Sequence, residues 1–138
     1  MTWFVWALLS AFFAGLTAIL AKVGVQHVNS NLATAIRTVV ILIFTWAVAL
    51  LTKSQSLASI ERRTWVFLVL SGFATGLSWL CYFRALQLGP ASRVAPLDKL
   101  SVPLVMLFAW LLLGEKLTFA TIAGGLLITA GAVVMVLG

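Results

Sequence analysis

Long apolar runs follow one another along almost the whole of this chain, and only short polar stretches separate them. A bilayer core about 30 Å thick needs roughly 20 consecutive, mostly apolar residues per helix, so each run is long enough to cross a membrane. The pattern predicts an all-α membrane protein with five transmembrane helices and no soluble domain. The expected helices are residues 3–25, 32–52, 64–86, 92–114 and 118–137.

The stretches between these runs carry the residues that end helices. "LGPAS" holds a Gly-Pro turn, and "GEKLT" is typical of a helix stop, a turn and a new helix start. Five spans put the N- and C-termini on opposite faces of the membrane. Tryptophan prefers the membrane interface, and five of the six tryptophans fall on the N-terminal face of this arrangement, which agrees with it.

The net charge of +6 does not indicate a nucleic-acid partner, because the nine Lys and Arg are scattered singly rather than clustered. Cys81 is the single cysteine and His27 the single histidine, so neither a disulfide framework nor a metal site is expected. We expect no cofactor and no enzymatic activity.

The basic residues are almost evenly divided between the two faces. The N-terminal face is expected to carry Lys53, Arg62, Arg63 and Lys116. The opposite side is expected to carry Lys22, Arg37, Arg84, Arg93 and Lys99. Because a Lys and Arg imbalance sets membrane orientation, a bias of a single charge leaves two interpretations open. One strong cluster, such as "ERR", fixes a single orientation, or the chain inserts in both.

Small residues recur at helical spacing in the third and fifth segments. Such stripes let helix backbones approach closely, so they predict a packing face or a dimer contact. The glycines concerned are Gly72, Gly76, Gly124, Gly125 and Gly131.

The third segment also carries polar and aromatic side chains beside its glycines. Hydroxyl groups at helical spacing are typical of a cavity wall, although Ser and Thr also bond back to their own helix, and both interpretations stay open. The candidate substrate-contacting residues here are Ser71, Thr75, Ser78, Trp79 and Tyr82. Arg37, in the second segment, either extends to the interface or compensates a charge in the pocket.

The fourth segment places Asp98 and Lys99 between Pro96 and Pro103. Two charges at the bilayer centre cost roughly 5 to 7 kcal/mol on the insertion scale, which nearly cancels the gain from the apolar residues around them. Neighbours on a helix diverge by about 100°, so we expect that the two side chains do not face each other. Each proline removes a backbone hydrogen bond, which predicts a kink with unpaired carbonyls at Ser92 and Lys99.

This constellation is typical of a transporter, in which broken helices with unpaired backbone lie near the substrate. Pro96 and Pro103 are the candidate hinge residues, while Asp98, Lys99 and Ser101 are candidates for substrate binding or ion coupling.

The stretch "YFRALQLGPASRVAPLDKLSVPLVMLFAWLLLGEKLT", with "AKVGVQHVNSNLATAIRT" before it, resembles the EamA-like branch of the drug/metabolite transporter superfamily. The resemblance is to short bacterial and archaeal members with one five-helix repeat, and it covers essentially the whole of residues 1–138 as a single transmembrane domain. Longer members are similar to two such repeats fused in opposite orientations. The resemblance implies that helices one, three and four line the substrate path.

The resemblance therefore implies a small multi-pass transporter of the inner (cytoplasmic) membrane, working by alternating access as an antiparallel homodimer. Its partners would be the lipid bilayer, a second copy of itself and a small-molecule metabolite or drug, with or without a coupling ion. Small multidrug exporters of the same superfamily use a carboxylate in the first helix. This chain has Phe13, Ala14 and Gly15 there, which argues against proton-coupled export by that route.

Two alternatives remain open from the sequence. The chain could be a non-transporting scaffold or accessory subunit, since it has ample packing motifs. It could also be half of a heterodimeric transporter that pairs with a related chain of opposite charge bias.

Overall fold

A computed structural model describes residues 2–52 and 56–138 of the chain. The described residues form α-helices and one short 3₁₀ turn, Leu57–Ser59. The helices are α1 (Trp3–Gly24), α2 (Ser30–Leu51), α3 (Arg62–Leu88), α4 (Ala91–Asp98), α5 (Ser101–Leu113) and α6 (Phe119–Leu137).

The expected all-α fold with five membrane-spanning segments is confirmed. Helices α1, α2, α3 and α6 and the combined segment Ala91–Leu113 are each long and apolar enough to cross a bilayer. The observed ends differ from the predicted ones by two residues at most. Lys53, which entered the charge count, lies outside the described residues. The placement of the two termini on opposite faces stays a prediction.

Short polar residues and one glycine define where the helices begin and end. The Asn29 side chain accepts hydrogen bonds from the backbone N–H of Asn31 and Leu32 at the start of α2. Gly114 ends α5 with a φ of +67°, which a residue with a side chain rarely adopts. Thr118 then accepts a hydrogen bond from the Thr121 N–H at the start of α6. The stop and start predicted at "GEKLT" are thus confirmed.

The fourth span is broken between Asp98 and Ser101, as its prolines predict. The break is a tight turn, in which Lys99 N–H donates to Pro96 O and Leu100 N–H donates to Leu97 O, at 3.0 and 3.1 Å. Pro103 cannot donate to the Lys99 carbonyl, but Val102 N–H does so at 2.9 Å. The expectation of an unpaired Lys99 carbonyl is therefore wrong, because the tight turn supplies a donor one residue earlier.

The described chain divides into two compact units. The first contains residues 2–19 and 88–138, and in it α6 packs against both α4 and α5. Gly125 of α6 is buried where α5 comes close, since a Cβ atom there would lie 2.7 Å from the Met106 sulfur. This contact supports a packing role for Gly125, which stays a prediction. A Cβ on Gly72, Gly76, Gly124 or Gly131 would meet no atom within 4 Å, so their packing role stays a prediction.

The second unit spans residues 20–87 and has a small core near one end of its helices. The end of α1, the first half of α2 and the last turns of α3 supply its buried side chains. These are Ala21, Val25, Ser30, Thr34, Phe83 and Leu86. Most other large apolar side chains of the chain are exposed, as expected where lipid or another protein surface covers a helix.

The contact of Gly125 with Met106 predicts a position-specific packing effect. Gly125→Leu should destabilise the chain by about 1 to 3 kcal/mol, because the added side chain overlaps Met106. Gly124→Leu is the matched control, since open space surrounds that position. Thermal unfolding of the purified chain in detergent would measure both. Adding Met106→Ala should restore part of the loss in Gly125→Leu, and equal losses in the two leucine variants would contradict this packing.

Candidate functional site

An arginine lies against aromatic rings inside the second unit. The Cζ atom of Arg37 is 4.3 Å from the ring centre of Trp79 and 5.3 Å from that of Phe83. Tyr82 lies on the same helix as both rings. We refer to Arg37, Trp79 and Phe83 as the Arg37 cluster. The structure thus brings together two of the predicted site residues, Arg37 and Trp79.

Helix geometry explains this arrangement. Trp79 and Phe83 are four residues apart on α3, so both rings face the same side, toward the first half of α2. Trp79 lies about 13 Å along the axis from the end of α3 and Phe83 about 7 Å from it, at 1.5 Å per residue. The guanidinium is nearer to the deeper ring. Both expectations for Arg37, extension to the membrane interface and charge compensation in a pocket, stay predictions.

No carboxylate balances the Arg37 charge within its own unit. Residues 20–87 contain one acidic residue, Glu61, which precedes α3 and lies about 27 Å from Trp79 along the helix axis. Among the described residues, Arg37 is in no ion pair and donates no hydrogen bond. An arginine in a spanning helix costs up to about 3.5 kcal/mol on the insertion scale, and a cation–π contact returns about 0.5 to 2 kcal/mol. The guanidinium therefore still lacks an anionic or hydrogen-bonding partner.

The hydroxyl groups near this cluster bond to their own helices. Thr34 and Thr38 donate to the carbonyls of Ser30 and Thr34, each at 2.8 Å. On α3, Thr75 donates to the Ser71 carbonyl at 2.9 Å. The Thr75 hydroxyl thus uses its hydrogen to bond back to its own helix. Its oxygen can still accept a hydrogen bond from another group. Ser71, Thr75 and Ser78 are exposed and Tyr82 is half-buried, so a role for them in substrate contact stays a prediction.

A second polar group holds the end of α3 in place. The Lys22 ammonium donates to the Leu86 carbonyl at 2.6 Å, which joins the last turn of α1 to the last turn of α3. The Gln87 amide donates to the carbonyls of Val25 and Val28, and Arg84 donates to the Gln87 side-chain oxygen at 2.7 Å. Sequence reasoning missed the positions of Lys22 and Gln87. A basic residue in the last turn of a helix was the available signal, because it suits helix C-terminal carbonyls.

Asp98 and Lys99 pair with each other at the break between α4 and α5. The Lys99 Nζ atom lies 3.6 Å from an Asp98 carboxylate oxygen, and the Lys99 and Asp98 side chains are 55% and 40% exposed. The expectation that they do not face each other is wrong, because the 100° rule holds along a continuous helix and this helix ends at Asp98. Ser101, at the start of α5, is exposed.

The predicted hinge prolines each line a cleft against α6. Pro96 and Lys99 line a cleft of about 430 Å³, together with Gly131 and Met135 of α6. Pro103 lines an apolar cleft of about 580 Å³ with residues of α5 and α6 that include Trp110 and Thr129. A hinge function for either proline stays a prediction.

Comparison with known proteins adds to this picture. Residues 1–137 match the model of the EamA-like transporter family. A protein of Sinorhizobium sp, named "Uncharacterized transporter in cobO 3'region", is 56% identical over 135 residues, which cover 97% of this chain and 96% of the relative. No solved structure matches the chain.

A family match over nearly every residue, together with a relative of this similarity, agrees with the resemblance found in the sequence. The five apolar helices fit the same conclusion. The chain is a multi-pass membrane transporter rather than an enzyme, and it belongs to the EamA-like transporter family.

Proposed function

We propose that this chain is a small secondary transporter, which moves a small metabolite or drug across the inner membrane by alternating access as an antiparallel homodimer. Asp98 and Lys99 provide polar contacts or ion coupling, and Arg37 compensates substrate charge. Trp79 and Tyr82 form an aromatic wall of the path. Pro96 and Pro103 supply the hinge.

The observation that carries this proposal is the break in the fourth span. The segment Ala91–Leu113 is apolar enough to cross a membrane, yet it is interrupted about 11 Å from its start by a charged pair. A continuous helix would stabilise such a span better, so the break needs a functional reason. Broken helices beside charged groups are how transporters bind ligands and alternate between two states.

The exposure of this span supports a second copy. Within Ala91–Leu113, the most apolar stretch of 18 residues contains no residue that the rest of the chain buries. Ionised side chains as exposed as those of Asp98 and Lys99 are too costly to face hydrocarbon. A protein partner that encloses a water-filled path would cover them. Longer members of the family are similar to two such repeats, and this favours a second copy of this chain as the partner.

The even division of basic residues supports insertion in both orientations. Membrane orientation follows the excess of Lys and Arg on one side, and here the two sides differ by one charge. The Sinorhizobium relative is matched over 96% of its length, so it is of similar single-repeat size. Two inverted copies of such a repeat would reproduce the arrangement of the longer members of the superfamily.

Dual insertion predicts half labelling on both faces. We would replace Cys81 with Ala, introduce a single cysteine as His27→Cys or Glu115→Cys, and treat intact cells with a membrane-impermeant maleimide. Neither substitution changes the number of Lys and Arg, and both positions are exposed. About half of the cysteines should react at each position, relative to complete labelling after detergent treatment.

Full labelling at one position and none at the other would contradict dual insertion. It would favour a heterodimer with a related chain or a scaffold of fixed orientation. A related chain would copurify with this one in the heterodimer, whereas a scaffold would not need such a chain.

A water-filled path beside Asp98 and Lys99 predicts a reactive position within the membrane. In the Cys81→Ala background, Lys99→Cys should react readily with a charged methanethiosulfonate reagent, because that reaction needs a thiolate formed in water. Val105→Cys is the matched control, since it is exposed on α5 of the same span. We expect the reaction of Lys99→Cys to be at least tenfold faster in proteoliposomes. Equal rates would exclude the pair from a water-accessible path.

A further inference from the structure

We propose that Arg37 is the group that recognises the substrate, and that it binds one carboxylate of a small, singly charged organic anion against Trp79. This inference rests on the transport function proposed above and names its substrate class. It goes beyond general charge compensation, because it assigns the contact to one guanidinium and defines the group that the guanidinium binds.

The geometry of the Arg37 cluster leaves the donors of the guanidinium available. A cation–π contact uses the positive charge above a ring and requires none of the N–H groups. Arg37 approaches Trp79 to 4.3 Å in this way, and none of its five N–H donors bonds to an oxygen within the described residues. A planar guanidinium presents paired donors that match the two oxygens of a carboxylate. The ring therefore orients the guanidinium while its donor edge remains open to a ligand.

The neighbouring cations are already engaged with protein oxygens. The Lys22 ammonium donates to the Leu86 carbonyl, and Arg84 donates to the Gln87 side chain. The hydroxyls of Thr34 and Thr38 donate to backbone carbonyls. Among the three cations at this end of the unit, Lys22, Arg37 and Arg84, Arg37 is the one for which the described residues supply no oxygen partner. One such charge matches one carboxylate rather than a dianion.

The depth of Arg37 favours a soluble carboxylate over a lipid phosphate. Arg37 follows Ser30, the first residue of α2, by seven residues, which places it about 11 Å along the helix. Its guanidinium is nearer to the deeper of the two rings. Headgroup phosphates lie at the membrane surface, so a ligand that enters along the transport path reaches this position more readily than a lipid headgroup.

The test compares carboxylates with their neutral amides. The purified chain in detergent would be titrated with acetate and acetamide, and with benzoate and benzamide, at constant ionic strength, while its thermal unfolding midpoint is recorded. We expect at least one of the two carboxylates to raise the midpoint, since a ligand that binds the folded state stabilises it, and its amide to leave the midpoint unchanged. Inorganic phosphate should stabilise the chain less than that carboxylate.

Variants assign the effect to Arg37. Arg37→Gln should weaken carboxylate binding about tenfold or more, because it removes a charged hydrogen-bond donor. Arg37→Lys keeps the positive charge, so it is the variant that separates a binding effect from a folding defect. It should also weaken carboxylate binding severalfold, since lysine lacks the paired donors of a guanidinium. Arg84→Gln is the matched control and should bind as the wild type does, because its guanidinium is exposed and already bonded.

Three results would overturn the proposal. These are no stabilisation by either carboxylate, undiminished binding in both Arg37 variants, and stabilisation by phosphate that equals that by the carboxylate, which would indicate a general anion or headgroup site. Binding in detergent depends neither on dual insertion nor on transport. Failure here would leave the labelling result intact, and a fixed orientation would leave the binding result intact.

Discussion

Hydrocarbon offers no hydrogen-bonding partner, and the rest of this structure depends on that constraint. It confines the spanning backbone to helices, and it explains why Thr34, Thr38, Thr45 and Thr75 bond to carbonyls one turn back. Where Pro103 removes the normal donor, Val102 N–H bonds to the Lys99 carbonyl instead. At the ends of α1 and α3, Lys22 and Gln87 bond to carbonyls that the helices leave open.

Two charged groups within the spans depart from this rule. Arg37 contacts rings but no oxygen among the described residues, and the Asp98–Lys99 pair is largely exposed within the span that has the least buried surface. Both charged groups raise the free energy of the chain in a membrane unless a molecule from outside the chain pairs with them or shields them from lipid. A ligand would complete the first, and a second copy around a water-filled path would complete the second. The cost of placing a charge in hydrocarbon would thus favour both ligand binding at Arg37 and pairing of two copies around Asp98 and Lys99.

The sequence predicted those features that depend on local chemistry. Apolar length located five spans to within two residues, and Gly114 and Thr118 indicated the last helix boundary. It failed where the outcome depends on backbone continuity or on distant contacts. The 100° rule misplaced Asp98 and Lys99 because the helix ends between them, and Lys22 meets Leu86 across 64 residues of sequence. Glycine spacing marked five positions, but it could not indicate that Met106 faces Gly125 and not Gly124.

We propose that an inverted second copy completes this chain, and the distance between the two copies is the measurement that decides this. A spin label at His27→Cys in the Cys81→Ala background, with the protein in lipid nanodiscs, would report the separation of the same site in the two copies. An antiparallel pair places the labels on opposite faces, so we expect a distance of at least about 30 Å, the thickness of the hydrocarbon core. A clearly shorter distance, or no dipolar coupling at all, would contradict it.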